Sequence, residues 1–192
     1  MTDATGHHAA HGAAFPDHLQ LLQEVAEGNP SSVRRLLDDV APVVHGYLYA
    51  RVGGDAGAAE DLLQDTLLEG VRSAASYRGD AALSTWLCTI ARRRLARHYE
   101  HERRSEAVRR GLQVLPTPAP GVDEEEIERR DEVIRALGRM SAVHRQVLVL
   151  KYLDGMAVEQ IATEMGRSRV QVQSLLQRAR DGLRRELEAE RG

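Results

Sequence analysis

Three prolines packed closely together, Pro116, Pro118 and Pro120, sit past the midpoint of a 192-residue chain that is otherwise patterned for helix. Each lacks a backbone donor and disfavours helical geometry in the residue before it, so no helix runs from Gly111 to Gly121. The break leaves two helical blocks, 17–110 and 123–192, a linker at 111–122 and a leader at 1–16. Ala, Leu, Arg and Glu are abundant, aromatic residues make up 4%, and β-branched runs are few, so propensity favours helix over sheet. The expectation is an all-α fold of two small helical domains joined by a Pro-rich linker.

Apolar spacing places the helices. Leu19, Leu22, Val25 and Ala26 mark a first helix from Asp17, and Asn29-Pro30 restarts it, with Asn as cap and Pro at the first helical position. Leu36, Leu37, Val40, Val43, Val44, Tyr47 and Leu48 extend a second helix to about Arg51, and Gly53-Gly54-Asp55 ends it. A third helix is predicted over Ala56–Ser76, with Leu62, Leu63, Thr66, Leu67 and Val71 inward. A fourth starts near Leu83 and buries Leu83, Leu87, Ile90, Ala91 and Leu95. Beyond the linker, Asp123 and Glu126 have capping-box spacing, Ser141 is placed to cap the next helix, and Ser168 with Gln171 opens a long final helix to about Glu188.

A net charge of −3 is unlike that of a protein binding DNA alone through phosphate neutralisation. Arginines nevertheless crowd Arg92–Arg110 and Arg167–Arg185, while Glu60, Asp61, Asp65 and the run Asp123–Glu126 are acidic, which suits two kinds of partner, one of them nucleic acid. The single cysteine, Cys88, excludes an intramolecular disulfide. No segment approaches the roughly 18 consecutive apolar residues of a membrane span, and Met1–Ala14 lacks the layout of a secretory signal, so a cytoplasmic protein without membrane insertion is expected. His7, His8 and His11 invite a metal reading, but a flexible polar tail accounts for them more simply; no metal site or cofactor is expected.

Two constellations carry the functional reading. Around Gly166-Arg167-Ser168, Ile161, Ala162, Met165, Val172, Leu175 and Leu176 form the shared core of a helix-turn-helix, whose second helix presents Arg169, Gln171, Ser174, Gln177 and Arg178. An ordinary helical hairpin with a solvated charged face satisfies the same spacing. In the fourth helix, Trp86, Arg92, Arg93, Arg97 and Tyr99 combine aromatic stacking with phosphate-tracking cations, the chemistry that holds single-stranded nucleic acid. Trp86 as a plain core residue is the simpler alternative, and Arg94 projects onto the buried side, where its stem can snorkel. Asp61, Gln64, Asp65 and Glu69 form a polar ridge better suited to protein docking than to acid–base or metal chemistry. His98 and His101 have neither a nucleophile motif nor a His-Glu-x-x-His spacing near them, so no enzyme is read here.

Asp55-Ala-Gly-Ala-Ala-Glu-Asp-Leu-Leu-Gln-Asp-Thr-Leu67 and Ser76-Tyr-Arg-Gly-Asp-Ala-Ala-Leu-Ser-Thr-Trp-Leu-Cys-Thr-Ile-Ala-Arg92, followed beyond the linker by Leu137–Leu150, Gln160–Gly166 and Ser174–Arg180, resemble the extracytoplasmic-function sigma factors of bacterial RNA polymerase. The resemblance implies that Asp61, Leu62, Gln64, Asp65 and Thr66 meet the polymerase clamp, and that Tyr77, Arg78, Trp86, Arg92 and Arg93 recognise and open the minus-ten element. It implies that Arg167, Ser168, Arg169, Gln171, Ser174 and Arg178 read the minus-thirty-five element as duplex, and that an anti-sigma factor regulates the chain. Arg93 stands where the family often has Asn, Arg97 where it often has an acid, and Gln173 and Leu175 where basic residues are frequent. The rival reading is a stand-alone helix-turn-helix regulator, which binds duplex DNA without polymerase and leaves the acidic ridge without a task.

Overall fold

The computed structural model describes residues 15–108 and 124–191, all-helical with no strand among them. The leader up to residue 14, the linker, and the Asp123 capping box lie outside the described residues. The first helices are α1 (Pro16–Ala26), α2 (Pro30–Arg35), α3 (Ala41–Arg51), α4 (Ala56–Arg72) and α5 (Leu83–Val108). They pack around a core that includes Leu22, Val44, Leu48, Leu62, Leu83, Leu87, Ile90 and Leu95. Further along the chain, α6 (Glu124–Arg139), α7 (Ala142–Leu148), α8 (Val158–Glu164) and α9 (Arg169–Arg191) enclose a second core of Val147, Leu148, Ile161, Val172, Leu175, Leu176 and Ala179.

Local chemistry sets several boundaries. Asn29 Oδ1 accepts from the Ser31 and Ser32 amides at 3.0 and 3.3 Å, and Pro30 occupies the first position of α2, where its missing donor costs nothing. The predicted second helix does not run evenly to Arg51: a π-helical turn at Leu36–Val40 separates α2 from α3. Pro42 follows directly, and a widened turn gives its ring room that a regular α-helix interior denies. Pro16 belongs to α1 and not to the leader, and α4 stops at Arg72, giving way to a 3-10 turn at Ala74–Ser76. Ser141 takes the N-cap position of α7 without a side-chain hydrogen bond. The start of α5 is capped from a distance, because the Leu83 amide donates to His18 Nδ1 of α1 at 3.2 Å.

Candidate functional site

Exposure divides the ridge of α4. Asp61, Gln64 and Asp65 are exposed, and Leu68 beside them is 48% exposed, a large apolar side chain in water. Leu62 and Thr66, expected to meet a partner, are instead core residues: Leu62 packs in the first core, and Thr66 is fully buried with its hydroxyl donating to the Leu62 carbonyl at 2.6 Å. Residues three and four apart share a face of a helix only approximately, and α3 and α5 claim the face on which these two sit. Arg94 of α5 is resolved by the same packing. It crosses to α4 and pairs with Asp65 at 3.5 Å and Glu69 at 3.2 Å, so the inward-projecting arginine is satisfied by the ridge itself.

The five candidates for the minus-ten element part company. Tyr77 is buried, its hydroxyl donates to the Ala81 carbonyl at 2.6 Å, and its ring lies 5.2 Å from that of Trp86, so it positions Trp86 and presents no face of its own. Arg78 is exposed in the turn that Gly79 makes possible with a φ of 73°. Trp86 and Arg93 meet in a polar pocket of about 190 Å³, which Ser73, Ser76, Arg94 and Arg97 also line. Glu69 lines the same pocket and is paired with Arg94, so the indole of Trp86 with Arg93 and Arg97 remains to stack a base and hold a phosphate. Arg92 points away from this pocket, its Nη2 2.8 Å from Met156 Sδ in the second block. Ser73 escaped the sequence reading, and Ser76 entered it only as a helix end and as the first residue of a resembling segment, because both come from the end of α4 and the turn after it and reach the pocket only through tertiary packing.

The second block builds the helix-turn-helix as expected. Gly166 takes a φ of 60° between α8 and α9, and Ser168 and Gln171 exchange hydrogen bonds at 2.8 and 3.2 Å, a reciprocal capping box. Ser168, Arg169, Gln171, Ser174 and Arg178 are exposed, whereas Arg167 is half-buried. The Arg169–Glu159 pair at 3.3 Å lies open to water on both sides, so Arg169 is held weakly. Gln171 is committed to the cap and Arg178 leans on the Ser174 carbonyl at 3.4 Å. Val170, 73% exposed, sits in the first turn of α9 two residues before the buried Val172 and was not singled out from sequence; an exposed apolar group at such a position can meet a thymine methyl.

Among the described residues no group of His, Cys, Asp and Glu could hold a metal ion, and no helix is long and apolar enough to cross a membrane.

Two family models match this chain, Sigma-70 region 2 over residues 36–105 and Sigma-70 region 4 over residues 130–182. The chain is 28% identical over 173 residues to the extracytoplasmic-function RNA polymerase sigma factor BldN of Streptomyces coelicolor, covering 84% of this chain but 62% of that protein. It is 30% identical to SigK of Mycobacterium sp. (strain JLS), covering 85% of this chain and 86% of that one. With SigL of Mycobacterium tuberculosis (strain Erdman) it shares 33% identity over 83% of this chain and 90% of that one. Among solved structures, the sigma factor RpoE of Bartonella quintana, crystallised with the anti-sigma factor NepR, aligns with a TM-score of 0.46 at 24% identity over 81% of this chain and 95% of that one. The region 2 match falls on the α4 ridge and the Trp86 pocket and the region 4 match on the helix-turn-helix, so the chain belongs to the extracytoplasmic-function sigma factors, which direct transcription initiation by RNA polymerase.

Proposed function

We propose that the exposed part of the α4 ridge, Asp61, Gln64 and Asp65 with Leu68, docks core RNA polymerase, while the pocket of Trp86 and Arg93 takes an unpaired base of the minus-ten element and Arg78, exposed in the turn before α5, contacts the same element. The first turns of α9, with Arg169, Ser174 and Arg178 exposed, read the minus-thirty-five element as duplex, and Arg167 and Ser168 sit at the turn that leads into it. In this reading residues 17–110 and 123–192 are separate DNA-binding units, the linker at 111–122 spans them, and the chain works in the cytoplasm under an anti-sigma factor. It acts by binding and not by bond chemistry. Opening of the strands is driven by the free energy of holding an unstacked base in the pocket.

The observation that carries this reading is the placement of Trp86 against Arg93 and Arg97 in one concave pocket, with a capped helix-turn-helix in the same chain. Each site alone is small, and joining the two gives the pair the effective concentration that a near-neutral protein needs to grip DNA. Run-off transcription with core polymerase on a promoter library tests it. Discrete starts that depend on this protein and weaken with Asp61→Ala, Asp65→Ala support the assignment. Duplex binding with no dependence on polymerase turns the reading towards a stand-alone regulator.

A further inference from the structure

The turn that carries Arg78 and the first turn of α5, which carries Trp86, are held from outside their own stretch of sequence. Leu83 opens α5, and Ala82 before it has no side-chain acceptor, so the residue at the cap position offers nothing to the free amides of the first turn. His18 of α1 supplies an acceptor instead: the Leu83 amide donates to its Nδ1 at 3.2 Å, across 65 positions of sequence.

The imidazole is fixed in turn. It lies parallel to the Phe15 ring, with 5.3 Å between centroids and 3° between planes, and the Phe15 amide donates to the Gly79 carbonyl at 2.9 Å. Within the turn, the Tyr77 hydroxyl donates to the Ala81 carbonyl. Gly79, Ala81 and Leu83 are therefore all tied, two of them by the start of α1.

Trp86 inherits this placement. Its amide donates to the Ala82 carbonyl at 3.0 Å, the bond that closes the first turn of α5. Tyr77 lies beside the indole, and α4 approaches so closely that a Cβ on Gly70 would sit 3.6 Å from its Cζ3. These neighbours limit how the indole tilts, whereas the His18 bond decides whether the turn that bears it stays formed, because an uncapped helix end frays.

We propose that His18 is a positioning residue for strand opening: through the Leu83 amide it holds the first turn of α5, and with it Trp86, in the shape that takes an unpaired base. The inference rests on the assignment of the Trp86 pocket to the minus-ten element. A pocket shaped before DNA arrives needs no ordering when the base is captured, so the contribution of His18 falls on opening.

The test is run-off transcription with core polymerase and the full chain on two forms of one promoter, fully paired and pre-melted by mismatches across the minus-ten element. His18→Phe keeps a ring to stack on Phe15 and removes the acceptor, while in His18→Asn the amide oxygen takes the place of Nδ1. Ala82→Ser, added to His18→Phe, puts a local acceptor at the cap position. His18→Phe is expected to lose about fivefold on the paired template, the equivalent of one helix cap, and to match the parent on the pre-melted one. His18→Asn and the Ala82→Ser double variant are expected to recover most of that loss. Parental output from His18→Phe on the paired template, equal losses on both templates, or recovery by neither rescue overturns the proposal. Trp86→Ala separates the two readings: a defect there without one in His18→Phe removes this inference alone, and parental output from Trp86→Ala removes the pocket assignment and this inference together.

Discussion

The two regions proposed to face DNA are built by different means. In the second block the recognition site is local: Gly166, the Ser168–Gln171 capping box and the first turns of α9 lie within a short contiguous stretch, and Arg169, Ser174 and Arg178 follow from helical spacing. In the first block the site is an assembly, with Ser73 and Ser76 from the end of α4 and its turn, Trp86 and Arg93 from α5, Tyr77 behind Trp86, and Arg94 tied to Asp65 and Glu69. A local site stands or falls with one cap and one turn. An assembled site depends on how two long helices cross.

The sharpest way to break the comparison is to empty one core and watch the other. Ile161 is fully buried between α8 and α9, and Ile161→Ala is expected to cost the second block about 2–5 kcal/mol. Trp86 is the sole tryptophan, so its fluorescence follows the first block while circular dichroism follows both. Loss of part of the ellipticity at a lower temperature than the fluorescence change is the expected result; coincident transitions mean that the blocks unfold as one unit.

Ser168→Ala removes one arm of the capping box and is expected to lower the stability of the second block by about 1 kcal/mol, within the usual range of about 0.5–2. Duplex binding should fall with it, since the same turn orients Arg169, while the Trp86 signal stays put. In the first block, Arg94→Gln removes two bridges whose carboxylates are 58% and 45% exposed, so solvent screening keeps the stability change within about 1 kcal/mol. Transcription is expected to respond more than the melting temperature, because Asp65 and Glu69 are then free to reorient on the proposed docking ridge. A melting loss well beyond that range would place Arg94 in the structural frame of the α4–α5 crossing.

The smallest effect concerns pH. Burial holds the His98 imidazole below its ordinary value of 6.5, only partly offset by Glu102, with Arg145, Asp55 and His101 also acting on it. The unfolded chain therefore binds this proton more readily than the folded one, and stability contributed by neutral His98 is fully present above about pH 6.5 and declines as pH falls through that value towards the lower folded one. His98→Gln should flatten the dependence of the melting temperature between about pH 7 and pH 5, measured against the parent.

How far the sequence could be read follows from the distance between interacting residues. Asn29-Pro30, Gly166 and Ser168 with Gln171 were legible because cap and partner are a few residues apart and the turn requires a particular residue type. The hydrophobic period located α4 and α5 and marked Leu87, Ile90 and Leu95 as core. It could not say that α3 and α5 would take Leu62 and Thr66 out of reach of a partner, since a period identifies a face but not what the face meets. Nor could it show that Pro42 would be accommodated by a π-helical turn.

By itself, then, the sequence determined the all-helical character of the chain, most helix ends and the form of the helix-turn-helix, because propensity, capping and turn chemistry act between near neighbours. Tertiary structure alone decided which side of Arg92 is covered, that Arg94 neutralises the ridge, that His18 caps α5 and that Arg51 finds Asp154 103 positions away. Those outcomes depend on desolvation and on the close approach of elements remote in sequence. Neither is encoded in the spacing of residues along a single helix.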